Sequence, residues 1–349
     1  MTTRNVLAIA ILGAALCGTG ACESGFERND QIVNSLRILG ARDSVIDTDP
    51  NDWADAEDGD TIELSALVAN PGGVASVTVT WLACVPGTTA VSPCMDEGVL
   101  RDPTTLIPMA QDPATTGVLL LGVGETIQYT IPSEIKPLLD AVIARADQNV
   151  NAECAVYLEV PLVIIAQSDG HVFTATKNLR LSPWSQTGPG ATDPALQHYI
   201  RNANPTIDRL VLPDNPSACT GPLLTKTCAA DLDCADVPST CSNGWCVPTG
   251  PFPDGHQVVC GDVPPADAES YWTCGLDGPL YNPVERPSIT WYMTAGALAG
   301  VASANNNGGD ADLASRTFTG FTRPAGPFTL YGVIRDGRDG EAWVAQDFQ

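Results

Sequence analysis

Short runs rich in Val, Ile, Leu and Thr, each bounded by Gly, Pro, Asn or Asp, recur along the whole chain. Where apolar and polar positions alternate, such runs predict β-strands, because successive side chains of a strand point to opposite faces. The first is SLRILGA (35–41), and TIELSALVA (61–69) follows, ending on the turn N-P-G-G (70–73). In ASVTVTWLAC (75–84), Val77, Val79 and Trp81 fall on one face. After a loop-like stretch (85–116), GVLLLG and GETIQYTI (within 117–131), CAVYLEVPLVIIAQS (154–168) and HVFTATKNLRLS (171–182) continue the series. One segment breaks the period. Residues 134–146 (EIKPLLDAVIARA) follow Ser133, a suitable cap, and place Leu138, Leu139, Val142 and Ile143 on one side, so they predict a helix.

A second series starts near Pro205 with TIDRLVL and resumes with GHQVVCGD (255–262), SITWYMTAG (288–296) and RTFTGF (316–321). FTLYGVIRDG (328–337) and GEAWVAQDF (340–348) close it across the hairpin turn G-R-D-G (337–340). The Pro- and Gly-containing stretch from Pro183 to Pro194 separates the two series. The expected organisation is therefore all-β: a first unit over 36–183 with the helical insertion, a linker over 184–203, and a second unit over 204–349. S-V-T-V-T-W (76–81) and P-S-I-T-W (287–291) each end a β-run on a Trp. A core Trp of this kind marks immunoglobulin-like sandwiches, so two Ig-like β-sandwich domains are expected. The usual inter-sheet disulfide is not visible, since 61–69 holds no cysteine.

Residues 1–22 carry a different pattern. Arg4 precedes the unbroken apolar run Val6 to Leu16, and G-T-G-A-C ends at Cys22. One cation, a short apolar run and small residues make a secretory signal peptide, 1–21, too short to span a bilayer. The string resembles the lipobox of bacterial lipoproteins, with Gly20 and Ala21 in place and Thr19 where a branched aliphatic residue is usual. That resemblance implies lipidation of Cys22, with 22–35 as a polar tether. The alternative is an ordinary signal peptide cut near Ala21. Cysteine parity separates the two. Of twelve cysteines, Cys17 leaves with the leader, and a lipidated Cys22 leaves ten: Cys84, Cys94, Cys154, Cys219, Cys228, Cys234, Cys241, Cys246, Cys260 and Cys274. Ten can form five bridges, whereas a free Cys22 thiol leaves one orphan.

Five of those cysteines crowd into 219–246, a stretch with few large apolar residues, so bridges must hold it. No Cys-x-x-Cys pair occurs, which favours disulfides over thiolate metal ligation. By spacing, Cys228–Cys241, Cys234–Cys246 and Cys84–Cys94 are the favoured pairs, leaving Cys154 to cross between units. The formal charge is −24, and −25 once Arg4 leaves, which argues against nucleic acid as a partner.

The phrases L-R-I-L-G-A…D-G-D-T-I-E-L-S-A-L-V-A-N-P-G-G and L-Y-G-V-I-R-D-G-R-D-G-E-A-W resemble repeated phrases in predicted Ig-like or PKD-like β-sandwich lipoproteins of high-GC Gram-negative bacteria. The second phrase usually reads R-D-G-R-G-G, and Asp339 replaces a Gly here. The resemblance implies fold and an envelope location, and no reaction. Glu23 stands where an Asp retains lipoproteins at the inner membrane, which leans toward the outer membrane.

Chemistry-bearing residues are scattered. Asp47, Asp49, Asn51 and Asp58 fall at positions 1, 3, 5 and 12 of an EF-hand-like loop, but Asp52 occupies the glycine position and Pro50 stiffens the middle. Solvated turn acids are the plainer reading, and no cofactor is expected. Asn305, Asn306, Asn307, Asp310 and Asp312 read as a loop tip. His171, His198 and His256 lie apart, and neither H-E-x-x-H nor G-x-S-x-G occurs. No catalytic residue is expected. Trp53, Trp184, Trp245 and Trp272 in loops could stack on a sugar, or plug sandwich ends. The leading expectation is a non-enzymatic envelope lipoprotein with a structural or protein-interaction role. The alternatives are a glycan-binding surface protein, with or without calcium, and a secreted hydrolase with a triad assembled in space.

Overall fold

The computed structural model describes residues 31–46, 51–71, 76–84, 103–133, 136, 157–186, 199–207, 209–211, 239–242, 245–248, 256–261, 263–264, 267, 273–274, 280–281, 285, 287–298 and 318–348. The chain is mostly β. In order, the strands are β1 (Arg37–Val45), β2 (Thr61–Ala69), β3 (Thr78–Cys84), β4 (Val118–Val123), β5 (Thr126–Thr130), β6 (Leu158–Ser168) and β7 (His171–Leu181). They continue as β8 (Leu210–Val211), β9 (Ser239–Ser242), β10 (Trp245–Pro248), β11 (His256–Gly261), β12 (Thr273–Cys274) and β13 (Leu280–Tyr281). The last are β14 (Ser288–Met293), β15 (Ala297–Leu298), β16 (Phe318–Thr322), β17 (Phe328–Arg335) and β18 (Glu341–Phe348).

Four antiparallel sheets stack in layers. Their strand orders are β4-β3-β6-β7, β1-β2-β5, β14-β17-β18 and β15-β16-β11-β8. The first two enclose a core of Ile38, Ile62, Leu64, Trp81, Leu162 and Ile164. The last two enclose another, built on Val259, Ile289, Trp291, Phe321 and Leu330. A third apolar layer joins the pairs: Val33, Leu39 and Ala69 pack on Tyr292 and Val333. The two sheet pairs therefore touch through this layer. Alternation explains the layering, since Trp291 and Met293 serve one face of β14 while Tyr292 serves the other. Gly40 lets the layers approach, because a Cβ there would meet Glu341 Oε1 at 2.6 Å and the Trp343 ring at 3.2 Å.

Trp81 and Trp291 are both fully buried, one in each core. The outer face of the β6 sheet is also covered. Leu106 and Val118 pack on Leu82, Val163 and Ile165, which is why β6 reads as a near-continuous apolar run. That cover comes from the short helix Leu106–Met109, flanked by the helical pieces Pro103–Thr105 and Pro113–Thr116, inside a stretch expected to be loop. They are too short, and too rich in Pro and Thr, to leave a helical period. Of the helix expected over 134–146, only Lys136 is among the described residues, and it is helical.

Two expected connectors are built into the body instead. Residues 31–33, assigned to the polar tether, add to the edge of β14: Val33 N donates to Met293 O at 2.8 Å and Met293 N to Gln31 O at 2.9 Å. Val33 is fully buried. The described ends of the expected linker also pack inward, as follows. Within the cysteine-dense insert, β9 and β10 form a hairpin whose register opposes Cys241 and Cys246. Cys84 and Cys260 are each in a disulfide. Cys22, Cys94, Cys154, Cys219, Cys228 and Cys234 lie outside the described residues.

Candidate functional site

The densest chemistry lies where the two sheet pairs meet, and it is buried. The β17–β18 hairpin closes on the pair Arg335–Glu341, whose guanidinium and carboxylate are 2.9 Å apart. Its tip, 336–340, is held by Asp336, which accepts from the backbone N–H of Arg338 at 2.6 Å and of Gly340 at 3.1 Å. Gly337 and Asp339 take positive φ, 89° and 75°. The tip enters the joint. Asn202, fully buried, donates through Nδ2 to Asp336 Oδ2 at 2.9 Å and to the Arg338 carbonyl at 3.1 Å.

Residues 199–204 reach this point beside 52–54, through an isolated antiparallel bridge between Trp53 and Ala203. Ala54 N donates to Asn202 O at 2.9 Å, and Asn204 N to Asp52 O at 2.6 Å. Asp55, fully buried, accepts from the Tyr199 hydroxyl and from Asn202 N, with Arg180 Nε 3.9 Å from its other oxygen. Asn204 bridges both units. It donates to the Asp43 carbonyl at 2.7 Å and accepts from Glu341 N at 2.9 Å. Arg338 closes the far side on Glu285 at 2.8 Å and on the Ile200 carbonyl at 2.6 Å.

Burial sets the electrostatics. It pushes the carboxyls of Asp43, Asp55 and Glu341 up, against the pull of neighbouring Lys and Arg. Asp336 is pushed up to about 6, its burial outweighing the donors from Arg338 and Asn202. Tyr199 is raised by burial and by the adjacent Asp55, so its hydroxyl stays a donor. Burial pulls Arg180 down, but Asp55 and Asp339 more than offset this, and it stays charged.

No family model matches this chain, and no curated protein does. Among solved structures it is similar to dimeric latent PorU from Porphyromonas gingivalis, at 10% identity, with TM-score 0.19, over 88% of this chain and 24% of that one. It therefore spans about a quarter of that protein's length. It is also similar to SGBP-B of the Bacteroides ovatus mixed-linkage glucan utilization locus, solved with a mixed-linkage heptasaccharide. There the identity is 11% and the TM-score 0.17, over 88% of this chain and 70% of that one. At these TM-scores neither superposition bears on what this chain does.

The sequence-derived candidates land apart from one another. Trp53 and Trp184 clasp the Arg201 guanidinium, at 4.8 and 3.8 Å from the ring centroids. Trp184 Nε1 also donates to Asp60 at 3.0 Å, and Glu57 accepts from both the N–H and the hydroxyl of Ser185. Both rings are part-buried around this one guanidinium. The side chains of Trp245 and Trp272 lie outside the described set. Of the loop weighed for calcium, Asp47 and Asp49 fall outside the described residues, Asn51 is exposed, and Asp58 sits in a turn. Among the described residues, no three His, Cys, Asp or Glu side chains are grouped to hold a metal ion. His171 is exposed at the start of β7, while His198 lies outside the described residues, as does the side chain of His256.

Sequence reading missed the joint. One signal for it was present: Lys177 and Asp43 occupy inward positions of their strands, between Ala175 and Leu179 and between Ala41 and Val45. A charge on the apolar face of a strand needs a buried partner.

Proposed function

We propose that this chain is a non-enzymatic cell-envelope lipoprotein, carried on a lipid at Cys22, whose two Ig-like units act as one rigid structural or protein-binding body. What supports the reading is the use made of the buried charge. Asp43, Asp55, Lys177, Asn202, Asp336, Arg338 and Glu341 are at most 6% exposed and gather at the joint, where Lys177 reaches the Asp339 carbonyl, Asn202 reaches Asp336 and Glu341 accepts from Ala41 N. Groups of the kind a reaction would employ are committed to holding sheets together. A stacked body presents its outer faces and loops, among them the cysteine-dense insert, in fixed relation. The acidic surface suits a body that stands off an anionic membrane and does not bind nucleic acid. The leader and Glu23 favour the outer membrane.

Mass spectrometry of the mature protein tests the anchor: an acylated Cys22 is expected, and an unmodified Cys22 or retention of residues 1–21 overturns it. Calorimetry tests the rigid body. One unfolding transition is expected, and two separate ones, one per sheet pair, refute it.

A further inference from the structure

Lys177 and Asp43 face each other from the edge strands of two packed sheets, β7 and β1. Lys177 Nζ lies 2.9 Å from Asp43 Oδ1, with the two side chains 5% and 3% exposed. The amine and the carboxylate are thus in direct contact and shielded from water. Lys177 Nζ also donates to the Asp339 carbonyl at 2.5 Å, which holds the amine in place. A second buried carboxyl, Glu341, acts on Lys177 electrostatically and is 3% exposed. The other charges nearby have their own partners: Arg180 pairs with Asp339, and Arg335 with Glu341. One amine and one carboxyl are thus left to each other.

We propose that Lys177 and Asp43 join in an intramolecular isopeptide bond that ties β7 to β1. Glu341 takes one proton from the Lys177 ammonium, and a second passes from Nζ to an Asp43 oxygen only as the new bond forms. The freed Nζ lone pair forms a bond to Asp43 Cγ, which passes through a tetrahedral state. The Cγ–OH bond then breaks, and the leaving hydroxyl takes the amine's remaining displaced proton by way of Glu341 and departs as water. An ammonium and a carboxylate become an amide and a water, with no change of oxidation state. Two features favour the step. Contact in a fixed geometry makes it unimolecular, and the amide removes two charges from an interior that solvates them poorly. Burial raises both Asp43 and Glu341, so each accepts a proton readily. Burial pulls Lys177 down, while Asp43, Glu341 and Asp339 more than offset it, so proton transfer to Glu341 is the required first step.

The test is peptide mass spectrometry of the full chain, purified natively, then reduced, alkylated and digested with trypsin. A branched peptide joining the segments that carry Lys177 and Asp43, one water lighter than their sum and uncut after Lys177, is expected in nearly all molecules. Cleavage after Lys177, with both segments at full mass, overturns the proposal. Lys177→Arg keeps the charge and the ion pair, so it folds and abolishes the branched peptide. Glu341→Gln leaves the pair in contact and lowers the branched fraction at least tenfold. An unchanged fraction removes Glu341 from the step.

Discussion

Asn202→Ala is the sharpest probe of the joint. The residue is fully buried, and its amide supplies two hydrogen bonds, to the Asp336 carboxylate at 2.9 Å and the Arg338 carbonyl at 3.1 Å. A hydrogen bond to a charged group contributes about 1.5–3 kcal/mol, and one between neutral groups about 1 kcal/mol. Both acceptors are left inside the protein, and the truncated side chain is too short for another donor to replace it. The expected loss is about 3–4 kcal/mol of stability, or about 6–8 °C in Tm at about 2 °C per kcal/mol for a chain of this size. Urea melts followed by tryptophan fluorescence measure it, with Gln128→Ala, on an exposed strand position, as the control expected to stay within about 0.5 kcal/mol. The slope of the melt should not change. A loss below about 1 kcal/mol would refute the reasoning, because it would mean that water reaches Asp336 and the joint is not dry.

The charge state of Asp336 gives a signed pH prediction: its pKa is raised from 3.8 to about 6, so the folded state holds the proton more tightly than the unfolded state. Stability from this group falls as pH rises through about 4 to 6, and the penalty of about 3 kcal/mol is complete above that window. Urea midpoints of Asp336→Asn against the native chain at both ends of the window should diverge by that amount, and parallel curves would sink the assignment. Asp339→Gly relieves a left-handed residue at φ 75° but removes the partly solvated pair with Arg180, so it should stay within about 1 kcal/mol of neutral by thermal melt. Gly340→Ala should cost about 2 kcal/mol or more by the same melt, since its Cβ would land on the Asp336 carboxylate. Trp81→Phe should cost about 1 kcal/mol more than Trp291→Phe in urea, because Trp81 Nε1 donates to Gly124 O at 2.9 Å whereas Trp291 Nε1 has no acceptor.

How much of this was legible follows from what each signal measures. β2 spans the predicted 61–69, and β14, β17 and β18 lie within a few residues of their runs, because each has a face that must be apolar to pack. The hairpin at 337–340 was readable from its glycines for the same local reason. Packing order was not readable. Nothing in SITWYMTAG or FTLYGVIRDG says that one sheet's second face lies on another sheet, since Tyr292 and Val333 look like ordinary alternation. Residues 201–203 fell in the expected linker, since RNAN (201–204) lacks the apolar residues a strand carries, and the burial of this stretch comes from hydrogen bonds to Asp43, Asp55 and Asp336. Polar burial leaves no periodic trace, so the chain's most constrained region was its least visible.

A polar joint does something that a larger apolar layer would not. The patch of Val33, Leu39, Ala69, Tyr292 and Val333 is small, and apolar contact alone tolerates sliding of one sheet over the other. Asn204 and Glu341 do not tolerate it. A slip of one residue would separate Glu341 N from Asn204 Oδ1 and Ala41 N from Glu341 Oε1, and would leave Asp336 unpaired in the interior. Breaking one partner of such a network costs far more than the network adds over an apolar substitute. The gain is therefore register and not raw stability. Replacing the joint's polar residues with apolar ones of similar volume should accordingly keep the protein folded while broadening the fixed distances between its two sheet pairs. Spin labels at exposed Val172 on β7 and exposed Ala325 after β16 would measure this, and a distance distribution as narrow as that of the native chain would show that the apolar patch sets the register by itself.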